Sequence, residues 1–217
     1  MIALERGGSI TYHGSWTQAF QERIGLLGNQ QPQLPCAIPS GTLREVEYAK
    51  PTLLKYQIEG SESGALDGDV WKITTTAKDI SLAAAKEIAL QEISQKRFDV
   101  ETGGIIANNK FYATDRHSQA AIDRASGTVS WKVRGTVARN VKQDDGSTAS
   151  KTFYTGSEFA STDMSSLKSV VKSHVSDAYS RESELLTAIN AASDVAALRA
   201  IDLDAGWAAI PQNDPGE

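Results

Sequence analysis

The sequence predicts an α+β fold, with a small β-rich N-terminal module followed by an α+β domain that holds hairpins and a long C-terminal amphipathic helix. Three observations predict it. Glycines and prolines crowd the first 75 residues, as Gly7-Gly8, Gly25, Gly28, Pro32, Pro35, Pro39, Gly41 and Pro51, and break any long helix there. Short runs elsewhere alternate apolar and polar residues, with the period of two that half-buried strands need. From Met164 to Ala192 the apolar residues recur instead with helical spacing. The domain division is therefore residues 1–75 and 76–217, with the long helix over about 163–192.

In chain order, the first module offers strand-like runs at Ile10-Thr11-Tyr12, from Leu43 to Tyr48 and from Thr52 to Ile58, with one or two helical turns over Gln18 to Leu27. A polar stretch, Glu59 to Gly64, reads as a passage to the next strand, Asp69 to Thr74. Ser81 is a cap for a helix rich in good helix formers, including Ala83-Ala84-Ala85, which should run to about Arg97.

Phe98 to Thr114 reads as a strand pair. Ile105-Ile106-Ala107 and Lys110-Phe111-Tyr112 flank Asn108-Asn109, two residues that tolerate the positive φ of a tight hairpin turn. Thr114 or Asp115 then caps a shorter helix through Ala125. Val129, Trp131, Val133, Val137 and Val141 alternate with polar residues, and Asp144-Asp145-Gly146-Ser147 supplies a turn before Lys151 to Tyr154. A second hairpin follows, with a polar arm over about 134–150.

Thr162 or Asp163 caps the long helix. Met164, Leu167, Val171, Val175, Ala178, Leu185, Leu186 and Ile189 share one face, opposite Ser173, Asp177 and Glu184. Leu167, Val171, His174, Ala178, Leu185, Ile189 and Ala192 also form a heptad-like series, interrupted by Glu182. Such a face packs either on its own chain or against copies of itself.

The formal charge of −5, with basic residues scattered among acids, argues against a nucleic-acid partner. The longest apolar runs are a few residues, against the roughly 20 that a membrane-spanning helix requires, so no membrane insertion is expected. The first residues lack the basic and apolar blocks of a signal peptide, and synthesis in a cytoplasm is expected. Cys36 is the single cysteine and can form neither an intrachain disulfide nor a thiolate zinc cluster within the chain.

His13, His117 and His174 stand far apart without a ligand spacing such as HExxH. No Gly-x-Ser-x-Gly elbow, P-loop or dinucleotide fingerprint occurs, and no spacing singles out a carboxylate pair. Gly103-Gly104 suits a tight turn into a strand. No enzyme activity, cofactor or metal is expected. In the most motif-like polar cluster, Asp115 receives the amides that open a helix, and Arg116 pairs with a carboxylate such as Glu101 across the hairpin. Trp71, Trp131 and Trp207 lie in patterned segments and read as core. Trp16, in a glycine-flanked loop, reads as an anchor into a neighbouring protein.

Several blocks in order carry a resemblance: Glu101-Thr102-Gly103-Gly104, Thr114-Asp115-Arg116 with Ser118-Gln119-Ala120, Ser173-His174-Val175 with Arg181-Glu182, and Ala191 to Trp207. Over roughly Asp79 to Ala209 the chain resembles a domain family of unknown function found mainly in tail and tail-fibre-associated proteins of tailed bacteriophages. The resemblance implies a structural virion component, a tail-fibre or baseplate adaptor contributing to fibre attachment and host adsorption. Residues 1–75 would dock on other phage tail proteins, and the chain would form a homo-oligomer, with three-fold symmetry the usual choice for fibres. Trp16, Leu167, Val171, His174, Ala178, Leu185 and Ile189 are the interface candidates. The alternative is a tail-fibre assembly chaperone absent from the mature particle.

Overall fold

The computed structural model describes residues 1–7, 9–14, 34–38 and 41–215 of the chain. They form two compact units, Met1–Ser81 and Leu82–Glu217, and the architecture is α+β. The turns expected over 18–27 lie outside the described residues.

The first unit is a sheet of β1 (Ile2–Arg6), β2 (Ser9–Gly14), β3 (Cys36–Ile38), β4 (Gly41–Ala49), β5 (Gln57–Asp67) and β6 (Val70–Asp79). The strand order is β2-β1-β4-β6-β5. β3 and β6 divide one edge of β4: Gly41 to Leu43 pair antiparallel with β3, and Glu45 to Ala49 pair parallel with β6. Alternation places Ile2, Leu4 and Leu43 in one buried cluster and Ala3, Val46, Trp71 and Ile73 in another, on opposite faces.

Two expectations fail here. Pro51 to Leu54 form no regular element, and Leu53 and Leu54 are exposed; the strand begins only at Gln57, after Tyr56 at φ 63°. The polar run from Glu59 to Gly64, expected to be a passage, lies inside β5. Among the described residues β5 pairs with β6 alone, and it is exposed along nearly its whole length, so both of its faces can be polar and no apolar alternation marks it.

The second unit contains α1 (Leu82–Thr102), β7 (Ile105–Ala107), β8 (Lys110–Tyr112), α2 (Arg116–Arg124), β9 (Thr128–Lys142), β10 (Thr148–Asp163), α3 (Met164–Ala191), α4 (Val195–Arg199) and β11 (Gln212–Asn213). Its sheet order is β11-β10-β9-β8-β7. Asn108 and Asn109 adopt φ 50° and 56°, the left-handed pair that turns β7 into β8. β9 and β10 form a long antiparallel ladder closed at Gly146, with a bulge between Tyr154 and Ser157. Most of its distal half, from Ala138 to Lys151, is exposed.

Asp163 caps α3, its carboxylate accepting from the amides of Ser165 and Ser166. The buried stripe of α3 is Met164, Leu167, Val171, Ala178, Leu185 and Ile189, whereas Leu186 is exposed. Ile105, Tyr112, Ile122 and Val133 close the core around the N-terminal half of this stripe, and Trp131 packs at its edge. Each such buried aliphatic side chain contributes roughly 1.5–3 kcal/mol. Helix α1 buries Ala85, Ala89, Ile93 and Val100, spaced at four and seven residues, and packs on α3 and α4. It continues to Thr102 rather than stopping near Arg97, so Phe98 to Thr102 are helical and not strand.

Candidate functional site

The C-terminal end of α1 is buried, and a helix end leaves its last carbonyl groups without partners inside the helix. Three side chains from other elements supply them. His174 of α3 donates from Nε2 to the Val100 carbonyl at 2.8 Å. The Thr114 hydroxyl donates to the Glu101 carbonyl at 2.7 Å and accepts from the Gly104 amide at 2.9 Å. Gln119 of α2 donates to the Glu101 carbonyl at 3.5 Å and to the Thr114 carbonyl at 2.6 Å. Gly104, at φ +94°, turns the chain away into β7; a Cβ there would overlap the Phe111 ring.

The same helix end carries a chain of charges. Glu101 is fully buried, and its two carboxylate oxygens meet Arg116 Nη1, at 2.7 Å, and Arg97. Arg97 in turn lies 3.1 Å from the Glu182 carboxylate of α3, with its guanidinium 4.6 Å from the centre of the Tyr179 ring. Two carboxylates thus face two guanidiniums, and Glu101 has no direct path to water. Arg116 is reached as expected, from across the β7–β8 hairpin. Arg97 was missed; the signal was its position four residues before Glu101, combined with the need of Glu182, on the apolar side of α3, for a cation.

At the start of α2 the Asp115 carboxylate accepts from the amides of His117 and Ser118, each at 3.0 Å, and from the Ser118 hydroxyl. The hydroxyl bond, followed by the Ser118 amide bond, holds its pKa below the ordinary carboxylate value. His117 is exposed. Trp207 is half-buried and donates to the Leu203 carbonyl at 2.8 Å, while Trp71 is buried in the first unit.

The interface candidates fare differently. Trp16 lies outside the described residues. Leu167, Val171, Ala178, Leu185 and Ile189 are buried by their own chain, at 6% exposure or less, and His174 is engaged with α1. A surface already covered inside the chain cannot also form a seam with another copy. The self-association seam is therefore corrected to a core stripe. The heptad reading failed because the spacing of a coiled-coil seam and of a helix packed on its own domain coincide over four turns.

Between α2 and α3 a groove of about 750 Å³ is floored by Ile122, Val171 and Val175 and flanked by Arg116, Lys168 and Lys172. Lys168 and Lys172 make no ion pair among the described residues. No three His, Cys, Asp or Glu side chains among the described residues converge as metal ligands. No helix among them is long and apolar enough to cross a membrane.

The second unit is thus a five-stranded sheet with helices on it, locked by a polar clamp at one buried helix end. The chain belongs to the family described as domain of unknown function DUF4376, whose model matches residues 84–205, more than half of its length. The match takes in all of the clamp and leaves out the first unit and β11. No curated protein and no solved structure matches the chain.

Proposed function

We propose that the protein is a non-enzymatic assembly component of a tailed bacteriophage, a tail-fibre or baseplate adaptor that works by binding its neighbours. The observation that carries the non-enzymatic part is the clamp. Glu101, Thr114, Asp115, Arg116 and Gln119, five polar residues of the sequence blocks behind the phage resemblance, are engaged with one another or with a backbone group, Glu101 through its ion pairs with Arg97 and Arg116. A general acid, base or nucleophile needs access to substrate, and these groups hold a helix end instead.

The β9–β10 hairpin supports the adaptor reading. Strands of 15 and 16 residues rise roughly 50 Å at about 3.3 Å per residue, and the distal half carries little core. The distal half, an arm of roughly 25 Å, is suited to contacting another protein. With the α3 stripe committed to the core, the contacts with neighbours fall to this arm and to the first unit.

Quantitative mass spectrometry of gradient-purified particles, with copy number referred to the tail-tube protein, tests the reading. Stoichiometric presence in the particle is the expected result. Abundance in the lysate with absence from particles would replace the adaptor by an assembly chaperone.

A further inference from the structure

The walls of the groove between α2 and α3 carry charge that the fold itself does not use. Lys168 and Lys172 line it one helical turn apart on α3, and neither takes part in an ion pair among the described residues. Between Asp163 and Asp177 the sequence holds no carboxylate, so neither lysine meets one three or four residues away. Two ammoniums at that spacing repel each other, and the pair weakens α3 rather than supporting it. On the α2 wall, Arg116 turns Nη1 and Nη2 to Glu101 and keeps further N–H groups on an exposed guanidinium. Asp123 is the single carboxylate among the described lining residues.

Ile122, Val171 and Val175 form the floor. Ile122 and Val171 are almost closed off and Val175 is half-buried, so the apolar strip is narrow and charge supplies most of the recognition. Three cations against one carboxylate, in a chain of net charge −5, select an acidic ligand. The lining has no aromatic side chain on which a base could stack, and so few cations give a nucleic acid little hold. A small anion would leave the apolar strip uncovered.

We propose that this groove docks an acidic amphipathic helix of a partner protein. Two helices side by side offer the seam into which a third packs. The four-residue spacing of Lys168 and Lys172, a rise of about 6 Å, matches carboxylates one turn apart on the incoming helix, whose apolar side chains lie over Val171 and Val175. Asp123 repels acid at its own position and so limits the register in which such a helix can lie. The groove is a contact surface additional to the β9–β10 arm and the first unit, and the inference stands whether or not the chain is part of a particle.

The test is fluorescence anisotropy of the full-length chain with a labelled model helix of about 15 residues, leucine along one face and glutamate beside it, against the same peptide with glutamine for glutamate. The acidic peptide is expected to bind at least tenfold more tightly than the glutamine peptide, and less tightly as salt rises. Lys168→Glu sets a glutamate four residues before Lys172, an attractive pair in place of a repulsive one. It is expected to weaken binding of the acidic peptide at least tenfold while the thermal midpoint stays level or rises, a combination that damage to the fold would not produce. Should Lys168→Glu lower the midpoint, Lys172→Gln, which only removes charge from an exposed side chain, decides by the same loss of binding. Equal binding of the two peptides, no binding of either, binding insensitive to these substitutions, or tighter binding of a single-stranded oligothymidylate would overturn the proposal.

Discussion

The Arg116 guanidinium reaches the fully buried Glu101 carboxylate at 2.7 Å while remaining 58% exposed itself. Arg97, on the other oxygen, is 13% exposed. Both arginines serve the same carboxylate, but their removal differs in cost. Loss of the buried partner leaves a charge that water cannot reach, and such a break costs about 3–5 kcal/mol. Arg97→Ala should approach that range, and Arg116→Ala should cost about 1 kcal/mol, because water can replace an exposed guanidinium. Urea titrations of the two variants would show the contrast.

Gly104→Ala places a methyl group against the Phe111 ring at a residue with φ +94°. Left-handed backbone costs a non-glycine residue about 1–2 kcal/mol, and forced overpacking about 1–3 kcal/mol. The thermal midpoint should fall well below that of Gly127→Ala, which has a positive φ of 68° but open space around it. Equal losses in differential scanning calorimetry would show that the crowding at Phe111 has no effect.

Asp115 gives the stability a pH dependence of known sign. Its folded pKa is lowered, first by the Ser118 hydroxyl. The cap therefore stabilises fully above the unfolded carboxylate value of about 3.9, and that contribution is lost as the pH falls through the lower folded value. Asp115→Ala should cost about 1 kcal/mol at neutral pH. The difference between wild type and variant should shrink in denaturant melts as the pH is taken progressively below the ordinary carboxylate range.

Asn109 turns β7 into β8 at φ 56°. Asn109→Gly should be neutral or mildly stabilising, and Asn109→Val should cost about 1–2 kcal/mol, because a β-branched residue resists that region. Chemical denaturation of the pair reads both signs.

What the sequence made legible was local. Asn108-Asn109, the caps at Asp115 and Asp163 and the period of α3 each declare themselves within a few residues, because turns, caps and helical faces are set by near neighbours. The last turn of α1 was not legible, since its carbonyls are satisfied by Thr114, Gln119 and His174, which are distant in the chain. Strand β5 escaped because an edge strand with two polar faces has no apolar period, and β11 because two residues carry no pattern. In the candidate site, the Arg116–Glu101 pair could be anticipated from the hairpin between them. The Arg97–Glu182 link required knowing how α1 and α3 lie against each other.

The two neighbours of β10 set an order of assembly. β9 joins it through a short turn, a closure that can zip within microseconds as soon as both strands exist. β11 joins it only after α3 and α4 have been made, across a far longer loop whose closure entropy must be met by two paired residues and by Asp214, held by Arg139. During synthesis, β10 therefore has a period in which its whole outer edge is open. A nascent chain caught at that stage leaves the Tyr154 carbonyl without the Asp214 amide that meets it in the finished molecule.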